Sequence, residues 1–569
     1  MCQGEAIVFG GQPLKLRLFI VSTGVLLALC LLPSCSKVVG ASVLQCQTDG
    51  DCADRGPDFV GTACATGGPS KGYCVDELAV SQNGECTANA DCVDISGPGS
   101  ICARVGGANR CQRVVTEQCP FYVGDPFVER TVVFGVMGDI APTDIRYTRD
   151  VGIVAAAKLA VDEFQADKGI ELNGKRRVSI VFCKQSTPRA SSTHLVRLGA
   201  KAIVGPTESG ALVSVAEQVA PEKVPVFTGT LDENPAAALA QAAGLIFLTG
   251  AERGSMVDAL SAYLTENKMP ILAATGGGVG LRVLTVLSQD SVGYETLLAE
   301  KLTFNGKTAI QNQSDTACDA CYRNVKLVDG DVAALLSAVA TFRPNVIVPI
   351  VDSTWGSTYL SPLEASFAGP GKPPLYLHPF RLEEDAGYRV LRRTNPTLVN
   401  QRVAGLWPRR SSSTVASFRD RYRLATSPRP NVPGPTPNVS ATRVYETMSL
   451  VLLAAYSAAR STPNGAFTGA DLARTVANVT AKGAPPIQVG PLGILPAVQT
   501  LNRRLGASES EFERVDVDGI LTTFEFSANQ VATSPWEIWC LDGTKEAYEG
   551  TSRVFDGSSF AGGSPGLCN

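Results

Sequence analysis

A strand-to-helix turn in the first half of the chain carries residue types that can hold an anion. The run KAIV predicts a short strand, and GPTESG at 205–210 leads from it into a helix that begins near Ala211. The first N–H groups of a helix lack intrahelical partners and carry partial positive charge, so Thr207, Ser209 and Gly210 could hold a carboxylate. The alternative is that Ser209 only caps the helix.

Ligands of open parallel sheets bind beyond the carboxyl ends of the strands, so the residues that follow the other predicted strands are further candidates. They include Lys184, Gln185, Thr228 and Thr230 in the first half of the chain, and Tyr294, Asp352, Trp355, His378 and Phe380 in the second. In the second half, ordinary structural roles are the alternative: Tyr294 would start a core helix, Trp355 would cap the sheet and His378 would be hydrogen-bonded at a strand end. A pocket takes only a few convergent polar groups and aromatic walls, so only some of these residues would contact a ligand.

Alternating strand and helix patterns must position these residues. From Arg130 onward, short β-branched runs alternate with Ala- and Leu-rich stretches, which is typical of β-α-β units and a parallel sheet. Residues 131–136 predict the first strand and 153–164 the helix after it, and the alternation resumes at 283–287 and ends in a long apolar helix at 445–459. We therefore expect an α/β fold with two sheets.

Length and charge limit the possible functions. With 569 residues the chain is longer than one hydrophobic core usually grows, so at least two globular lobes are expected. The formal net charge is only -4, charged residues make up 18% of the chain, and no long basic run occurs, which argues against a nucleic-acid partner. A small molecule is the expected partner.

The first residues have the layout of a secretory signal. Lys15 and Arg17 precede an apolar run at 18–32, and a small residue stands directly before Cys35. A cysteine after the cleavage site is the lipobox pattern, so we expect removal of residues 1–34 and lipidation of the Cys35 thiol, which would hold the protein to a membrane. The alternative is an uncleaved membrane helix, but the apolar run is shorter than the roughly 20 residues that span a bilayer.

Cysteine usage independently indicates export. Of the seventeen cysteines, Cys2 and Cys30 would leave with the signal and Cys35 would carry lipid, which leaves fourteen. An even number in an exported chain is typical of a disulfide set.

Two four-cysteine repeats occupy residues 46–74 and 86–111. Their glycine-rich, weakly hydrophobic sequence needs cross-links for stability. We expect residues 35–120 to form a Cys-rich spacer, and the alternative is a protein-contact module. Zinc binding is disfavoured because the chain has two histidines and the repeats lack C-x2-C pairs, so no metal is expected.

Further cysteine pairs are expected outside the repeats. They are Cys119 with Cys183, and Cys540 with Cys568, which would tie down the tail, while Cys318 and Cys321 would form a local staple rather than a redox-active pair.

Two short glycine motifs do not indicate an enzyme. Residues 562–566 match G-x-S-x-G, but they lie in a glycine-rich tail with no predicted strand before them and no helix after them. Residues 276–280 lack both the dinucleotide-binding spacing and the Lys-Ser/Thr of a phosphate loop. We therefore expect no catalysis and no cofactor.

An ordered set of longer motifs resembles a known family. The order and spacing of the amino-terminal lobe of leucine-binding-like ABC transporter receptors are matched by VVFGVMGDIAP, GIVAAAKLAVDEF and KAIVGPTESGALVSVAEQVAPEKVPVFTGT. The match continues through RPNVIVPIVDS, ATRVYETMSLVLLAAY and VDGILTTFEFSANQ, and covers residues 131 to about 545. The resemblance implies the two-lobed, type I periplasmic binding protein fold, with parallel sheets flanked by helices, preceded here by a small disulfide-rich region.

In that family the chain crosses three times between two lobes, which close around a small solute. Carried over to this chain, the resemblance places the crossings near Thr249, near 428–441, which is rich in proline, and near Val515. The implied division is lobe 1 at 131–250 and 430–510, lobe 2 at 251–429 and 511–545, and a disulfide-tied tail at 546–569. Closure needs a few torsions to change at the crossings while each sheet stays rigid.

The resemblance also implies roles for the candidate residues. Ser209 matches the serine that the family uses for the ligand carboxylate. Against the ligand's side chain and ammonium the family often places an aromatic and an acidic residue, and the candidates are Tyr294, Asp352, Trp355, His378 and Phe380. The stretch TGTLDEN at 228–234 departs from the small residues of amino-acid binders, although Thr230 could still supply a hydroxyl. Glu208 would repel a carboxylate unless it points to solvent or meets an ammonium, so a branched-chain amino acid cannot be assumed.

The function implied by the resemblance is capture of a small, amino-acid-like or related polar solute. The receptor would be anchored through Cys35, face the periplasm or the cell surface, and deliver the solute to the permease of an ABC-type importer. The first alternative is a sensory or cell-surface receptor that uses the same cleft without transport. The second is a structural surface protein whose cleft binds nothing.

Overall fold

A computed structural model describes most of the chain beyond the predicted signal. The described residues are 46–48, 51–52, 55, 62–64, 74–76, 86, 88–105, 108–128, 131–138, 149–167, 170–171, 175–207, 210–229, 235–250, 253–288, 293–318, 320–328, 331–351, 355–367, 372–379, 402–408, 413–427, 434, 436–462, 466–504, 512–527, 529–541 and 548–562. The predicted signal and Cys35 therefore lie outside them. Across these ranges no helix has the length and apolar character needed to cross a membrane.

The chain divides into two compact units, residues 1–76 and 77–569. The first unit contains the first cysteine module, in which β1 (Thr62–Cys64) pairs antiparallel with β2 (Cys74–Asp76). Its disulfides join Cys46 to Cys64 and Cys52 to Cys74. In the described part of this module the buried core consists of cysteines, as expected for a sequence too poor in apolar residues to fold without cross-links.

The second cysteine module opens the second unit and repeats this pattern. It contains α1 (Asn89–Ser96), β3 (Ser100–Val105) and β4 (Ala108–Arg113), and its disulfides join Cys86 to Cys102 and Cys92 to Cys111. In both modules the first cysteine thus pairs with the third and the second with the fourth. The predicted disulfide-rich region is confirmed.

The first large sheet has six strands. Its region of the chain contains β5 (Phe121–Val123), β6 (Val132–Gly138), the short hairpin β7 (Ile170–Glu171) and β8 (Lys175–Arg176), then β9 (Val178–Lys184), β10 (Ile203–Val204), β11 (Val226–Thr228) and β12 (Ile246–Leu248). The helices between them are α2 (Arg149–Asp167), α3 (Pro188–Arg197), α4 (Ala211–Val219) and α5 (Pro235–Gln241). The spatial order is β12-β11-β10-β6-β9-β5, and all strands are parallel except β5, which pairs antiparallel with β9.

Both faces of this sheet are covered, because successive residues of its strands point to opposite sides. Val132, Phe134 and Val136 of β6 pack in one core with α2, whereas Val133 and Met137 pack in another with α3 and α4. All seven residues of β6 are buried. A continuous apolar strand of this kind is typical of a parallel sheet between two helix layers.

The second module packs on the face of the first sheet that α3 covers. Its Ile101 joins the core there, together with Val114 from the connection that follows the module. The disulfide between Cys119 and Cys183 then links this connection to the end of β9. Because the second module is part of this larger unit, we retain a spacer role as a proposal for the first module only.

The second large sheet begins after two helices, α6 (Arg253–Glu266) and α7 (Lys268–Thr275). Its region contains β13 (Val283–Leu287), the hairpin β14 (Thr303–Phe304) and β15 (Lys307–Thr308), β16 (Tyr322–Lys326), β17 (Val346–Ile350), β18 (Leu375–His378) and β19 (Val403–Pro408). Between the strands lie α8 (Gly293–Lys301), α9 (Ala309–Asn312), α10 (Val332–Phe342), a π-helix (Trp355–Leu360) and α11 (Ser361–Ser366). The parallel order is β16-β13-β17-β18-β19.

The chain then returns to the first sheet. The returning elements are α12 (Ser413–Ala425), α13 (Val439–Arg460), α14 (Gly469–Val479), β20 (Pro486–Gln488), α15 (Pro491–Leu501) and β21 (Asp516–Asp518). All six contribute buried residues to the core that α2 forms with the first sheet. Since α12 already lies there, the return occurs between Pro408 and Ser413, before the proline-rich segment at which we expected it.

Three antiparallel strands complete the second sheet. They are β22 (Trp536–Leu541), which pairs with β19, then β23 (Tyr548–Phe555) and β24 (Phe560–Ala561). β23 and β24 fall in the region that we expected to be a tail. Cys540 is disulfide-bonded, and its expected partner Cys568 lies outside the described residues.

Both sheets therefore share one topology. Numbered along the chain, the five parallel strands of each sheet stand in the spatial order 2-1-3-4-5. The prediction of an α/β fold with two parallel sheets flanked by helices is confirmed. In this order the crossover direction reverses between strands 1 and 3, which leaves a crevice beyond their carboxyl ends.

Candidate functional site

The crevice of the first sheet lies between the ends of β6 and β10. Directly after β10, Gly205 passes so close to β6 that a Cβ atom on it would lie 2.4 Å from the carbonyl oxygen of Met137. Its φ of 106° also lies in the region that favours glycine. Glycine at this position thus lets the loop after β10 run against the end of β6.

Gln185 fixes the next part of that loop. Its side-chain oxygen accepts hydrogen bonds from the Thr207 backbone N–H at 2.9 Å and from the Thr207 hydroxyl at 3.0 Å. The Gln185 backbone N–H in turn donates to the carbonyl of Gly138 at the end of β6. Both donors of Thr207 are therefore engaged by a buried amide, and Thr207 holds the loop in place.

The start of α4 follows at once. Gly210 is the residue before the helix and has a φ of 88°, while Glu208 and Ser209 lie outside the described residues. The described geometry is a strand end, a fixed loop and a helix N-terminus in succession. Contact between Ser209 and a ligand carboxylate stays a prediction.

Thr228 supports the same loop from β11. Its side chain is fully buried, and its hydroxyl donates to the carbonyl of Pro206 at 2.5 Å. Thr230 lies outside the described residues. At this edge Thr228 therefore positions the backbone of the loop after β10. The role of the Thr230 hydroxyl in ligand binding stays a prediction.

Arg443 of α13 brings a cation to this edge that sequence analysis did not single out. Its Nη1 donates to the carbonyl of Gly229 at 2.5 Å. A Cβ atom on Gly250 would lie 2.9 Å from the same nitrogen. The guanidinium thus lies against the chain just after β11 and β12, and two glycines there leave room for it.

The buried carboxylate of Glu446 holds residues 520–522, close to where the chain leaves the first sheet. Glu446 of α13 accepts hydrogen bonds from the backbone N–H groups of Ile520 at 2.6 Å and Leu521 at 2.7 Å, and from the Thr522 hydroxyl at 2.9 Å. The Thr522 hydroxyl also lies 3.1 Å from the carbonyl of Thr249, the residue after β12. Burial raises the pKa of Glu446 to about 7.

These contacts join two passages between the sheets. Leu248 and Val531 form a parallel bridge, so the two segments that leave the first sheet run side by side there. The hydroxyl of Thr249 also bonds that of Thr447 on α13, at 2.9 Å. The only sign of this hydrogen-bond network in the sequence is Glu446, a polar residue within the long apolar helix α13.

In the second sheet, the described candidates are buried among aromatic and cationic groups. Tyr294 is 3% exposed and joins the core of α6 and β13, and the guanidinium of Arg253 lies 4.4 Å from its ring centre. Asp352 and Phe380 lie outside the described residues. Tyr294 therefore lies in the core at the start of α8, and ligand contact by it stays a prediction.

His378, at the end of β18, lies between two tryptophans. Its ring centre is 6.5 Å from that of Trp355 and 6.4 Å from that of Trp539. Burial lowers the pKa of His378 well below its usual value, so the imidazole is neutral at physiological pH. Trp355 is itself fully buried. His378 and Trp355 are thus brought together, and ligand contact by either stays a prediction.

The described cysteines offer no metal site. The sulfurs of Cys46, Cys52 and Cys74, and likewise those of Cys86, Cys92 and Cys111, lie within 4.8 Å of one another, but each belongs to a disulfide. A disulfide sulfur lacks the thiolate charge that metal ligation requires. Cys318 and Cys321 are also paired with each other.

No protein-family model matches the chain. No curated protein matches it either.

Solved structures similar to this chain include the branched-chain amino acid transporter substrate-binding protein LivJ from Streptococcus pneumoniae in complex with isoleucine. It is 16% identical, with a TM-score of 0.48 over 74% of this chain and 99% of that one. A leucine-binding protein from Thermotoga maritima is 13% identical, with a TM-score of 0.47 over 74% and 97%. An ABC transporter solute-binding protein from R. palustris in complex with benzoate is 11% identical, with a TM-score of 0.44 over 76% and 97%. Many of the structures to which this chain is similar are thus substrate-binding proteins of branched-chain amino acid ABC transporters.

Proposed function

We propose that this chain is an extracytoplasmic solute-binding protein without catalytic activity. The observation that carries the proposal is the pair of parallel sheets with the same 2-1-3-4-5 order, between which the chain passes three times. Each sheet offers a crevice at its reversal of strand order. Three short connections allow the two sheets to move as rigid bodies and close on a molecule held between the crevices.

The connections define the proposed lobes. The chain leaves the first sheet after Thr249, returns between Pro408 and Ser413, and leaves again between Ala532 and Trp536. The second and third passages differ from those first implied, near 428–441 and Val515. Lobe 1 would then include α12 to β21 as well as the first sheet, and lobe 2 would include β22 to β24.

The proposed solute is a small amino-acid-like or related polar molecule. Its carboxylate would bind at the start of α4, near Thr207, Ser209 and Gly210, because the free N–H groups of a helix N-terminus favour an anion. Arg443 supports an anionic group at this edge. The ammonium would meet Asp352 in the other lobe.

Other candidates have narrower proposed roles. Thr230 would supply a hydroxyl, and Thr228 would act through the loop that it supports. Tyr294 and His378 would form walls of the site once the lobes close.

Membrane attachment and transport are further parts of the proposal. The Cys35 thiol would carry the lipid, and the first cysteine module would hold the binding lobes away from the membrane. The closed form would present a surface to the permease of an ABC-type importer. The repeated disulfide modules favour, as a second candidate, a surface or sensory receptor with the same cleft. Uptake of labelled solute by cells with and without the protein distinguishes the two, because only an importer subunit changes uptake.

The test of binding uses the secreted chain with Cys35→Ser, which prevents lipidation. Thermal unfolding is followed in the presence of amino acids, small amides and carboxylates. A ligand at 100 times its dissociation constant adds roughly 2.7 kcal/mol to the free energy of unfolding, which shifts the melting temperature measurably. Ser209→Ala should weaken the same ligand, whereas Ser314→Ala, far along the chain on an exposed turn, should not. If no compound of these classes shifts the melting temperature, the proposal fails.

A further inference from the structure

A cavity of about 760 Å³ lies in the lobe built on the first sheet, away from the crevice. Its walls come from α12, from the turn between β20 and α15, and from the chain after β21. The polar residues that line it include Ser413, Thr414, Arg421, Gln488, Asp518 and Thr523. Ile520, Leu521 and Thr522, which the Glu446 carboxylate holds, also line it, whereas the described residues at the ends of β6, β10 and β11 do not. The volume lies within the range of 300–1,000 Å³ typical of small-molecule sites.

Arg421 does not give the cavity an available positive charge. Its Nε donates to a carboxylate oxygen of Glu163 at 2.8 Å. The two Nη atoms donate to the hydroxyls of Ser417 at 2.7 Å and Tyr445 at 3.0 Å. With a carboxylate paired to it and both Nη atoms engaged, this guanidinium belongs to the wall.

Asp518 differs from Arg421 because its charge is not compensated. Within the described chain, no group donates a hydrogen bond to its carboxylate, and no cation forms an ion pair with it. Burial, together with the nearby carboxylates of Asp516 and Glu525, raises the pKa of Asp518. The neighbouring ammonium of Lys482 is bonded to Glu525 at 3.0 Å instead. A half-buried carboxylate beside two others favours an added cation.

The opposite wall offers hydrogen bonds rather than charge. Gly490 to Gly493 form the start of α15, where Pro491 has no N–H and the Gly493 N–H donates to the Gly490 carbonyl, which leaves the Leu492 N–H without an intrahelical acceptor. The Thr414 hydroxyl donates to the Gln488 side-chain oxygen. Val489 and Leu521 add apolar surface between the two ends. The cavity thus joins one uncompensated negative charge to a hydroxyl-rich, partly apolar wall.

We propose that this cavity is a second small-molecule site, separate from the crevice, that takes an organic ammonium compound bearing hydroxyl groups, such as an amino sugar. The ammonium binds Asp518. The hydroxyls bind the Thr414 and Gln488 side chains and the start of α15, and the carbon skeleton packs on Val489 and Leu521.

Isothermal titration calorimetry of the secreted Cys35→Ser chain tests this with glucosamine and with glucose, which differs in having a hydroxyl in place of the ammonium. Glucosamine should bind saturably and glucose at least tenfold more weakly. Asp518→Asn should weaken glucosamine at least tenfold, whereas Asp420→Asn, an exposed carboxylate of α12 outside the cavity, should leave it unchanged. If Asp518→Asn fails to fold, Ser413→Lys is the alternative variant. It places an ammonium at the cavity from an exposed position, so it should weaken the binding of glucosamine.

Three results would overturn the proposal. One is equal affinity for glucose and glucosamine, and another is unchanged glucosamine affinity in both Asp518→Asn and Ser413→Lys. The third is no binding by either glucosamine or putrescine, a second ammonium probe. Loss of glucosamine binding in Ser209→Ala, with Asp518→Asn unaffected, would instead assign the ligand to the crevice. Solute binding at the crevice is measured by the shift in melting temperature with amino acids, small amides and carboxylates, so either proposal can fail without the other.

Discussion

The carboxylate of Glu446 lies 2.7 Å from the backbone nitrogen of Leu521, although the two residues are 75 positions apart in the chain. With Ile520 and Thr522 also donating to it, this carboxylate fixes a turn beside Thr249, where the chain first leaves the first sheet. A buried charge is costly, and its hydrogen bonds compensate only in part, which is why its pKa rises.

The first prediction is that Glu446→Gln changes the pH dependence of stability. Since burial raises the folded-state pKa of Glu446 to about 7 from its ordinary value of 4.5, the stability that Glu446 contributes is full below pH 4.5 and is lost as the pH rises through 7. The loss is on the order of 3 kcal/mol. Urea unfolding at pH 4.5, 6 and 7.5 should show the free energy of unfolding of the wild type falling relative to that of Glu446→Gln as the pH rises, because buried His194 contributes the same opposite slope to both proteins. Glu217→Gln, which removes an exposed carboxylate, is the control and should follow the wild type at every pH.

The second prediction concerns His194, which bonds the carbonyl of Val114 at 3.2 Å and thereby helps to hold the second cysteine module on α3. Burial lowers its pKa to about 4 from 6.5, so its stability contribution is full above pH 6.5 and is lost as the pH falls through 4. This slope is opposite to that of Glu446. In Glu446→Gln, stability should therefore fall on acidification between pH 6.5 and 4, and His194 contributes about 3 kcal/mol of that fall. His378, whose pKa is also lowered by burial, adds a fall of the same sign, so His194→Asn in this variant should make the curve shallower by about 3 kcal/mol without flattening it. An unchanged curve would show that His194 does not contribute.

The third prediction compares two disulfides. Cys119–Cys183 closes a sequence separation of 64, and Cys318–Cys321 one of 3. By loop-closure entropy, replacing both cysteines of the first pair with alanine should cost about 4 kcal/mol, and of the second about 2 kcal/mol. Denaturant unfolding of the two double variants measures both values. Equal losses would mean that strain or residual structure, rather than loop length, decides the effect.

The fourth prediction concerns Gly205. Gly205→Ala forces a Cβ atom to within 2.4 Å of the Met137 carbonyl oxygen and places alanine at a φ of 106°. We expect a loss of more than about 3 kcal/mol and displacement of the loop that carries Thr207. Gly244→Ala is the matched control, because Gly244 has a φ of 78° with nothing within 4 Å of the added atom. It should lose only about 1–2 kcal/mol, the cost of the backbone conformation alone.

Local patterns predicted most of the parallel framework. The first strand, expected at 131–136, is Val132–Gly138, the strand at 283–287 is Val283–Leu287, and the long helix expected at 445–459 is Val439–Arg460. These elements are buried on several sides, so their composition alone identifies them. The edge strand Phe121–Val123 was missed because three residues carry too little pattern.

The placement of other elements could not be read from local sequence. The amphipathic pattern of Ser413–Ala425 shows that one face is buried, but not against which sheet. Because this helix packs on the first sheet, the second passage between the sheets comes earlier in the chain than expected. Arg443 and Glu446 were missed for the same reason. Periodicity predicts that a helix is buried. It does not predict the hydrogen-bond partners of charged side chains in that helix, because these partners, the Gly229 carbonyl and the Leu521 N–H, belong to residues far away in the sequence.

The interleaved disulfides of the first module have a consequence for survival among proteases. The loops closed by Cys46–Cys64 and Cys52–Cys74 overlap, so every peptide bond between Cys46 and Cys74 lies inside at least one ring. A nick anywhere in that span leaves the two ends joined through sulfur. Apart from reduction, only cleavage before Cys46, between Cys74 and Cys86, or between Cys111 and Cys119 can separate Cys119 from the amino terminus, because the described disulfides close no ring over those stretches. Proteolysis inside the first module therefore does not release the rest of the chain.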